Sequence, residues 1–212
     1  MKTKLIAVTK PLVDGIGTAD ELIAYCARVS NPSNQLSTET APRLLNYCVK
    51  HGHWSVFETV SMTVEIVTSR AIAAQILRHR SFTFQEFSQR YAKSVSFEPV
   101  EMRTQDEKNR QASGEVYENE RLQKLVSGLI QDSFNAYDRM LSEGVSRETA
   151  RMVLPLCTQT TLYMTGSVRS WIHYLWQRCA EGTQKEHRDV ANSIKQIFTE
   201  QFPTVAEAVW KT

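Results

Sequence analysis

Cysteine is scarce in this chain of 212 residues and never paired: Cys26, Cys48, Cys157 and Cys179 are scattered with no Cys-x-x-Cys, so neither a zinc site nor a redox dithiol is indicated. No apolar run approaches the about eighteen residues of a membrane span, and the apolar stretch near Met1 is too short for a signal peptide. These absences point to a cytoplasmic protein with no membrane partner and with reduced thiols, Cys48 and Cys179 lying on the apolar stripes of expected helices. No linker and no internal repeat interrupts the chain, so residues 1–212 are expected to form one domain. Gly15-Ile16-Gly17 lacks the third glycine of a dinucleotide fingerprint, and Thr18 has a simpler role as a helix cap. An excess of positive charge is missing too. Lys and Arg number 25 against 23 Asp and Glu, and a net +2 excludes a generic nucleic-acid coat.

Arginine is what the sequence has in quantity. Fifteen of the 25 basic residues are Arg, the side chain suited to bidentate grips on phosphate and carboxylate. Such an excess fits a few small anionic ligands if the arginines cluster.

The hydrophobic pattern predicts an α+β fold: a small antiparallel sheet flanked by several helices, with a long central helix. Residues 4–8 read as a strand, and Thr18 with Glu21 forms a capping box that opens a helix to about residue 28. A helix over residues 40–51 is stopped by Gly52. Met62, Val64 and Ile66 alternate with Thr63, Glu65 and Val67, the period of a half-buried strand, after which Ser69 caps a helix over 70–77. A strand is expected over 90–97, returning antiparallel to the one at 62–67, and 101–115 reads as an irregular surface excursion. Residues 118–141 give the strongest helical stripe, with Leu122, Leu125, Leu129, Ile130, Phe134 and Tyr137 on one face. Ser146 is expected to cap a short helix before Pro155. A Thr-rich strand over 158–165 follows, then helices over 167–180 and 185–202 and a last one from Pro203.

Chemistry concentrates in residues 78–91, Arg-His-Arg-Ser-Phe-Thr-Phe-Gln-Glu-Phe-Ser-Gln-Arg-Tyr. Arginine forks and a lone carboxylate alternate with three Phe, and no Lys is present. Anchored aromatics with aimed guanidiniums suit a pocket for a phosphorylated ligand. Downstream, Arg147 and Arg151 lie one helical turn apart, as do Arg169 and His173. Arg178 follows Arg169 by nine residues, about 180° round an ideal helix, so the two serve one pocket only if it curls round the helix, and otherwise two flanking pockets. His51-Gly52-His53 has no third ligand in sight and reads as a polar helix end rather than a metal site. From these residues alone, a non-catalytic nucleotide or single-stranded RNA binder, or an oligomer held by interface ion pairs, also remains open.

The stretch 78–90 resembles the signature of the flavin-dependent (alternative) thymidylate synthases: Arg-His-Arg, then Ser, Asn, Ser and Arg at fixed spacing. His51-Gly52-His53, Glu58, Gln75, Glu86, Tyr91, Ala150-Arg151-x-Val153-Leu154-Pro155, and Arg169 followed by Arg178 agree with that family, over about residues 27–194. Thr83 and Gln85 stand where the signature has Ser and Asn, Ser167 and His173 where Asn is expected, and Gly182 where some members have His.

The resemblance implies a homotetramer with active sites shared between subunits, and reductive methylation of dUMP to dTMP. It implies 5,10-methylenetetrahydrofolate as carbon donor and tightly bound FAD, reduced by NADPH, as hydride carrier. By position it assigns FAD to Arg78, His79 and Arg80, with Ser55, Glu58, Arg169 and His173. It assigns dUMP to Gln75, Glu86, Ser88, Arg90, Arg151 and Arg178. Arg90 and Arg151 suit the phosphate, and Arg178 is the catalytic candidate beside the uracil ring, where it stabilises developing negative charge. His53 and Tyr91 fall to the folate or nicotinamide side. Reduced flavin supplies the driving force in this family, so no protein thiol and no metal is implied.

Overall fold

The computed structural model describes residues 1–94 and 96–210. Its frame is a four-stranded antiparallel sheet in the order β1-β2-β6-β3, formed by β1 (Lys2–Val8), β2 (Ser61–Ser69), β6 (Gln159–Ser167) and β3 (Thr83–Glu86). Alternation decides its two faces. Met62, Val64 and Ile66 of β2 are buried, as are Leu162 and Met164 of β6, and the register sets Val64 opposite Met164 and Ile66 opposite Leu162. On the other face Thr63 meets Thr165 through their hydroxyls at 2.8 Å, and Tyr163 donates to Glu65 at 2.8 Å.

The apolar face packs against α1 (Ala19–Ala27), α2 (Ala41–Lys50), α6 (Val168–Arg178), α7 (Lys185–Gln201) and α8 (Pro203–Trp210) in one continuous core. Thr18 and Glu21 form the expected capping box on α1. Asp20 of α1, itself buried, accepts N–H bonds from Thr204 at 2.9 Å and Val205 at 3.4 Å, satisfying first-turn donors of α8. Its burial raises the carboxyl's pKa, and those N–H bonds oppose the rise.

Two strand-to-helix junctions place the chemistry. Ser69 at the end of β2 caps α3 (Arg70–Ile76), and Ser167 at the end of β6 caps α6, each through its own hydroxyl. Because β2 and β6 are antiparallel, these helices start from opposite ends of the strand pair.

Four expectations need correction. No strand forms over 90–97: residues 90–94 are turn and loop, Phe97 makes a single bridge to Thr158, and Val95 lies outside the described residues. The place beside β6 is taken instead by the short edge strand β3, whose four residues are too few for a recognisable alternation. The excursion 101–115 is not irregular throughout, since Arg103–Gln105 (β4) and Ser113–Val116 (β5) pair as an antiparallel ribbon. Helix α4 (Glu120–Ser142) is long but peripheral. It contacts chiefly the short helix α5 (Arg147–Ala150) and the turn Arg151–Val153, burying Ile130 and Tyr137 while Leu125 and Leu129 stay 56% and 58% exposed. Ser146 precedes α5 as expected but makes no backbone cap, its hydroxyl going to Thr149. Of the two stripe cysteines, Cys48 is buried and Cys179 only half-buried. Among the described residues no helix is long and apolar enough to cross a membrane.

Candidate active site

Helix α3 buries Ile72, Ala73 and Ile76, which leaves Gln75 half-buried at its border. The chain then turns through Arg78 and His79, whose N–H groups bond the carbonyls of Gln75 and Ile76. Phe82 drives this turn into the core, its ring 4.8 Å from that of Trp171. The room for that ring comes from Gly166 of β6, where an added Cβ would lie 2.4 Å from the Phe82 ring. The Arg-His-Arg segment is thus held by an aromatic anchor and a glycine on the facing strand.

Helix α6 supplies the opposite wall. Trp171, Ile172, Tyr174 and Leu175 point inward, and Arg178 ends the helix, donating its Nε–H to Nε2 of His79 at 2.9 Å. An arginine always donates, so His79 must accept there and carry its proton on Nδ1. Burial first, then the charges of Arg178 and His173, lower the His79 pKa from 6.5 to about 4, keeping the ring neutral.

Behind them lies a histidine outside every sequence motif of the site. His187 of α7 is fully buried, with Nδ1 3.0 Å from Gln75 Oε1 and Nε2 3.1 Å from the Tyr174 hydroxyl. Burial, Arg178 and His79 lower its pKa to about 3, while burial raises that of Tyr174. It shares an apolar stripe with Val190, Ala191, Ile194 and Phe198, so helical periodicity alone marks it as a core histidine.

Gln75, Arg78, His79 and Arg178 line one cavity of about 640 Å³, joined by Gln111 from the β4–β5 ribbon and by Gln177 and Gln184. A second cavity of about 400 Å³ opens on the other side of α6, lined by Trp54, Glu58, Ser81, Arg169, His173 and Trp176. There Arg169 pairs with Glu58, and the Trp54 and Trp176 rings meet edge to face at 5.5 Å. Arg169 and Arg178 therefore serve two cavities flanking one helix.

The remaining candidates lie elsewhere in this chain. Glu86 accepts from Arg70 at 3.1 Å and Thr160 at 2.9 Å at the sheet edge. The Ser88 hydroxyl accepts the Arg90 N–H, and the Arg90 side chain, 62% exposed, reaches Glu148 at 3.4 Å. Arg151 opens the turn Arg151–Val153, and Tyr91 is 86% exposed. Arg80 and Ser55 are exposed, as is His53, whose ring lies 5.7 Å from that of Tyr47. Among the described residues no three His, Cys, Asp or Glu are grouped to hold a metal ion, and none of the four cysteines lines either cavity.

Two cavities back to back on one helix, one with Arg78 and Arg178 beside a neutral His79 and the other with Arg169 paired to Glu58 beside two tryptophans, define an α+β protein equipped for planar, phosphate-bearing ligands. Known proteins make this specific. Residues 11–204 match the family described as "Thymidylate synthase complementing protein". The chain is 53% identical over 213 aligned residues to a protein of Paramecium bursaria Chlorella virus 1 named "Probable flavin-dependent thymidylate synthase", with 99% of each chain covered. It is 48% identical to the "Flavin-dependent thymidylate synthase" of Synechocystis sp., again over 99% of each. A solved UMP/dUMP methylase from Streptomyces cacaoi, bound with 5-Br dUMP, shares the fold at a TM-score of 0.84 and 24% identity, covering 98% of this chain and 93% of that one. The chain belongs to the flavin-dependent thymidylate synthases, flavoprotein methyltransferases of thymidylate synthesis.

Proposed function

We propose that the chain catalyses the reductive methylation of dUMP to dTMP in the cytoplasm, with 5,10-methylenetetrahydrofolate as carbon donor, FAD as hydride carrier and NADPH as reductant. The observation that carries this reading is the Arg178–His79 contact on the wall of the larger cavity, with Gln75 and Arg78 beside it. His79 takes only the Nε–H of Arg178, and no described protein group takes the Nη donors. They remain for an electron-rich carbonyl, where they stabilise negative charge that builds on the pyrimidine during attack. A neutral His79 adds no competing positive charge and keeps an Nδ1–H to offer.

The residues present fit a flavin. Arg169 and Glu58 beside the Trp54–Trp176 pair offer a charged and aromatic wall, and Arg78 with His79 adds phosphate donors across α6. Bound flavin supplies hydride to the transferred one-carbon group. No thiol lines either cavity, in keeping with chemistry that needs no cysteine addition to the pyrimidine.

One chain does not gather the whole assigned set. Glu86, Ser88, Arg90 and Arg151 line neither cavity, and Arg90 and Glu148 pair on the surface. Exposed Leu125, Leu129, Met152 and Leu156 offer apolar surface for further copies. We therefore read the protein as a homotetramer in which one subunit's Arg90 and Arg151 meet another's Arg178, and His53 and Tyr91 face the folate or nicotinamide.

The test is an anaerobic dTMP-formation assay with dUMP, methylenetetrahydrofolate, FAD and NADPH, each omitted in turn. Product should require all four once the protein has been stripped of bound flavin; product from flavin-free protein without added FAD, or a protein that shows no flavin absorption after FAD is added, would overturn the reading.

A further inference from the structure

Gln75 faces the larger cavity, yet its amide has an orientation set from behind. Its Nε2 donates to Gln184 Oε1 at 2.6 Å, and Gln184 Nε2 donates to Glu186 Oε2 at 2.9 Å. Glu186 is in turn ion-paired with Arg103 of β4. Burial by itself raises the Glu186 pKa, but hydrogen bonds from Arg103, its own backbone and Gln184, with the Arg103 charge, bring the carboxyl below its ordinary value. An ionised carboxylate only accepts. Gln184 must therefore turn its NH₂ toward Glu186 and its carbonyl toward Gln75. Gln75 must then turn its own NH₂ toward Gln184 and its carbonyl toward His187. His187 is compelled to hold its proton on Nδ1 and to accept from the Tyr174 hydroxyl on Nε2. One polarity runs through the whole chain, and reversing any amide would set oxygen against oxygen.

We propose that Glu186 is a positioning residue that, ion-paired with Arg103 and acting through Gln184, locks the Gln75 amide in a single orientation and so makes the cavity select a uracil over a cytosine ring. This rests on the reading that the cavity holds dUMP. With one N–H given to Gln184 and one lone pair to His187, Gln75 keeps one N–H and one lone pair at fixed places. Such a pair complements the O4 acceptor and N3–H donor of uracil. A flipped amide would present them in reverse, suiting the N4 amino group and unprotonated N3 of cytosine. The carboxylate that prevents the flip acts through Gln184 and not on the ring, and the fully buried His187 takes the tautomer that the fixed amide imposes.

Two substitutions separate positioning from packing. Glu186→Gln keeps the size but puts an amide, which donates as well as accepts, opposite Gln184, whereas Glu186→Asp keeps an acceptor-only carboxylate. The FAD-saturated full-length protein is titrated with dUMP and with dCMP, and thermal midpoints are recorded alongside. The dUMP-to-dCMP affinity ratio should fall about tenfold in Glu186→Gln and stay within about twofold of wild type in Glu186→Asp, whatever the two midpoints do. Ratios that are unchanged in both variants, or that fall equally in both, would overturn the positioning role while leaving the dUMP reading intact. A wild-type protein that binds no dUMP would instead remove that reading, and this inference with it.

Discussion

The Nε of Arg178 lies 2.9 Å from Nε2 of His79, joining the end of α6 to the turn after α3 across the mouth of the larger cavity. Burial first, and then this contact, keep the histidine neutral, and the contact fixes its tautomer. Replacing Arg178 with Ala removes the second-largest cause of the depressed His79 pKa and leaves the burial contribution. The His79 ring should then titrate above about 4 but still below 6.5, as followed by its ring-proton chemical shifts. A pKa unchanged by the substitution would mean that burial alone sets it.

Stability should fall as the solution is acidified. His79 and His187 titrate near 6.5 when unfolded but at about 4 and about 3 when folded, so between those values the unfolded chain binds more protons. Their contribution is full above about pH 6.5 and declines as pH drops through the folded values. The lowered carboxyl of Glu186 adds to the loss at the acid end, and the raised one of Asp20 opposes it. Thermal midpoints measured from about pH 7.5 down to about pH 4.5 should decrease, with proton uptake on unfolding seen by calorimetry. A flat profile would contradict the neutral buried histidines.

Arg90→Ala should separate binding from stability. The Arg90–Glu148 pair is more than half exposed on both sides, so its loss should change unfolding free energy by at most about 0.5 kcal/mol. A charge-assisted phosphate contact is worth more, and the dUMP dissociation constant should rise by about tenfold or more. Unchanged dUMP affinity in a titration would take Arg90 out of the site.

Gly166→Ala tests the anchor beneath the signature segment. A Cβ there lies 2.4 Å from the Phe82 ring, which is wedged against Trp171 and Tyr174 and cannot retreat freely. Overpacking of this kind should lower stability by about 1–3 kcal/mol in denaturant titration and displace His79 through the intervening turn. Adding Phe82→Leu should recover part of the loss. Failure to recover any would place the strain elsewhere.

Leu129→Asp addresses assembly. Leu125 and Leu129 stand exposed on α4 while Ile130 and Tyr137 hold the helix to its own chain. The substitution should leave helical circular dichroism unchanged but reduce the mass found by light scattering below that of a tetramer. A full tetrameric mass would assign the interface to another face.

Much of the fold was legible because it is written in local chemistry. Thr18 with Glu21, Ser69 and Ser167 are hydrogen-bonding caps, and Met62, Val64 and Ile66 alternate because one face of β2 is buried. Strand β3 was not legible, since four residues at a sheet edge owe their conformation to pairing with β6 some 80 positions away. The mistaken strand at 90–97 arose for the converse reason. That stretch has strand-like composition, but tertiary hydrogen bonds hold residues 90–94 as turn and loop, with Gln89 bound to Ser94 and the Ser94 N–H to the Tyr137 hydroxyl.

By itself, the sequence determined the residue types of the site and their spacing along the chain: Arg78-His79-Arg80, Arg90, Arg151, Arg169 and Arg178, with nine residues setting the last two on opposite sides of one helix. Only the tertiary structure decided which of them share a cavity and in what protonation state. Arg178 meets His79 and His187 meets Gln75 because α3, α6 and α7 pack against one another, and burial there makes neutral imidazole the stable form. Residues 99 and 112 positions apart carry no mutual signal in their spacing; their relation comes from the packing that removes both from water.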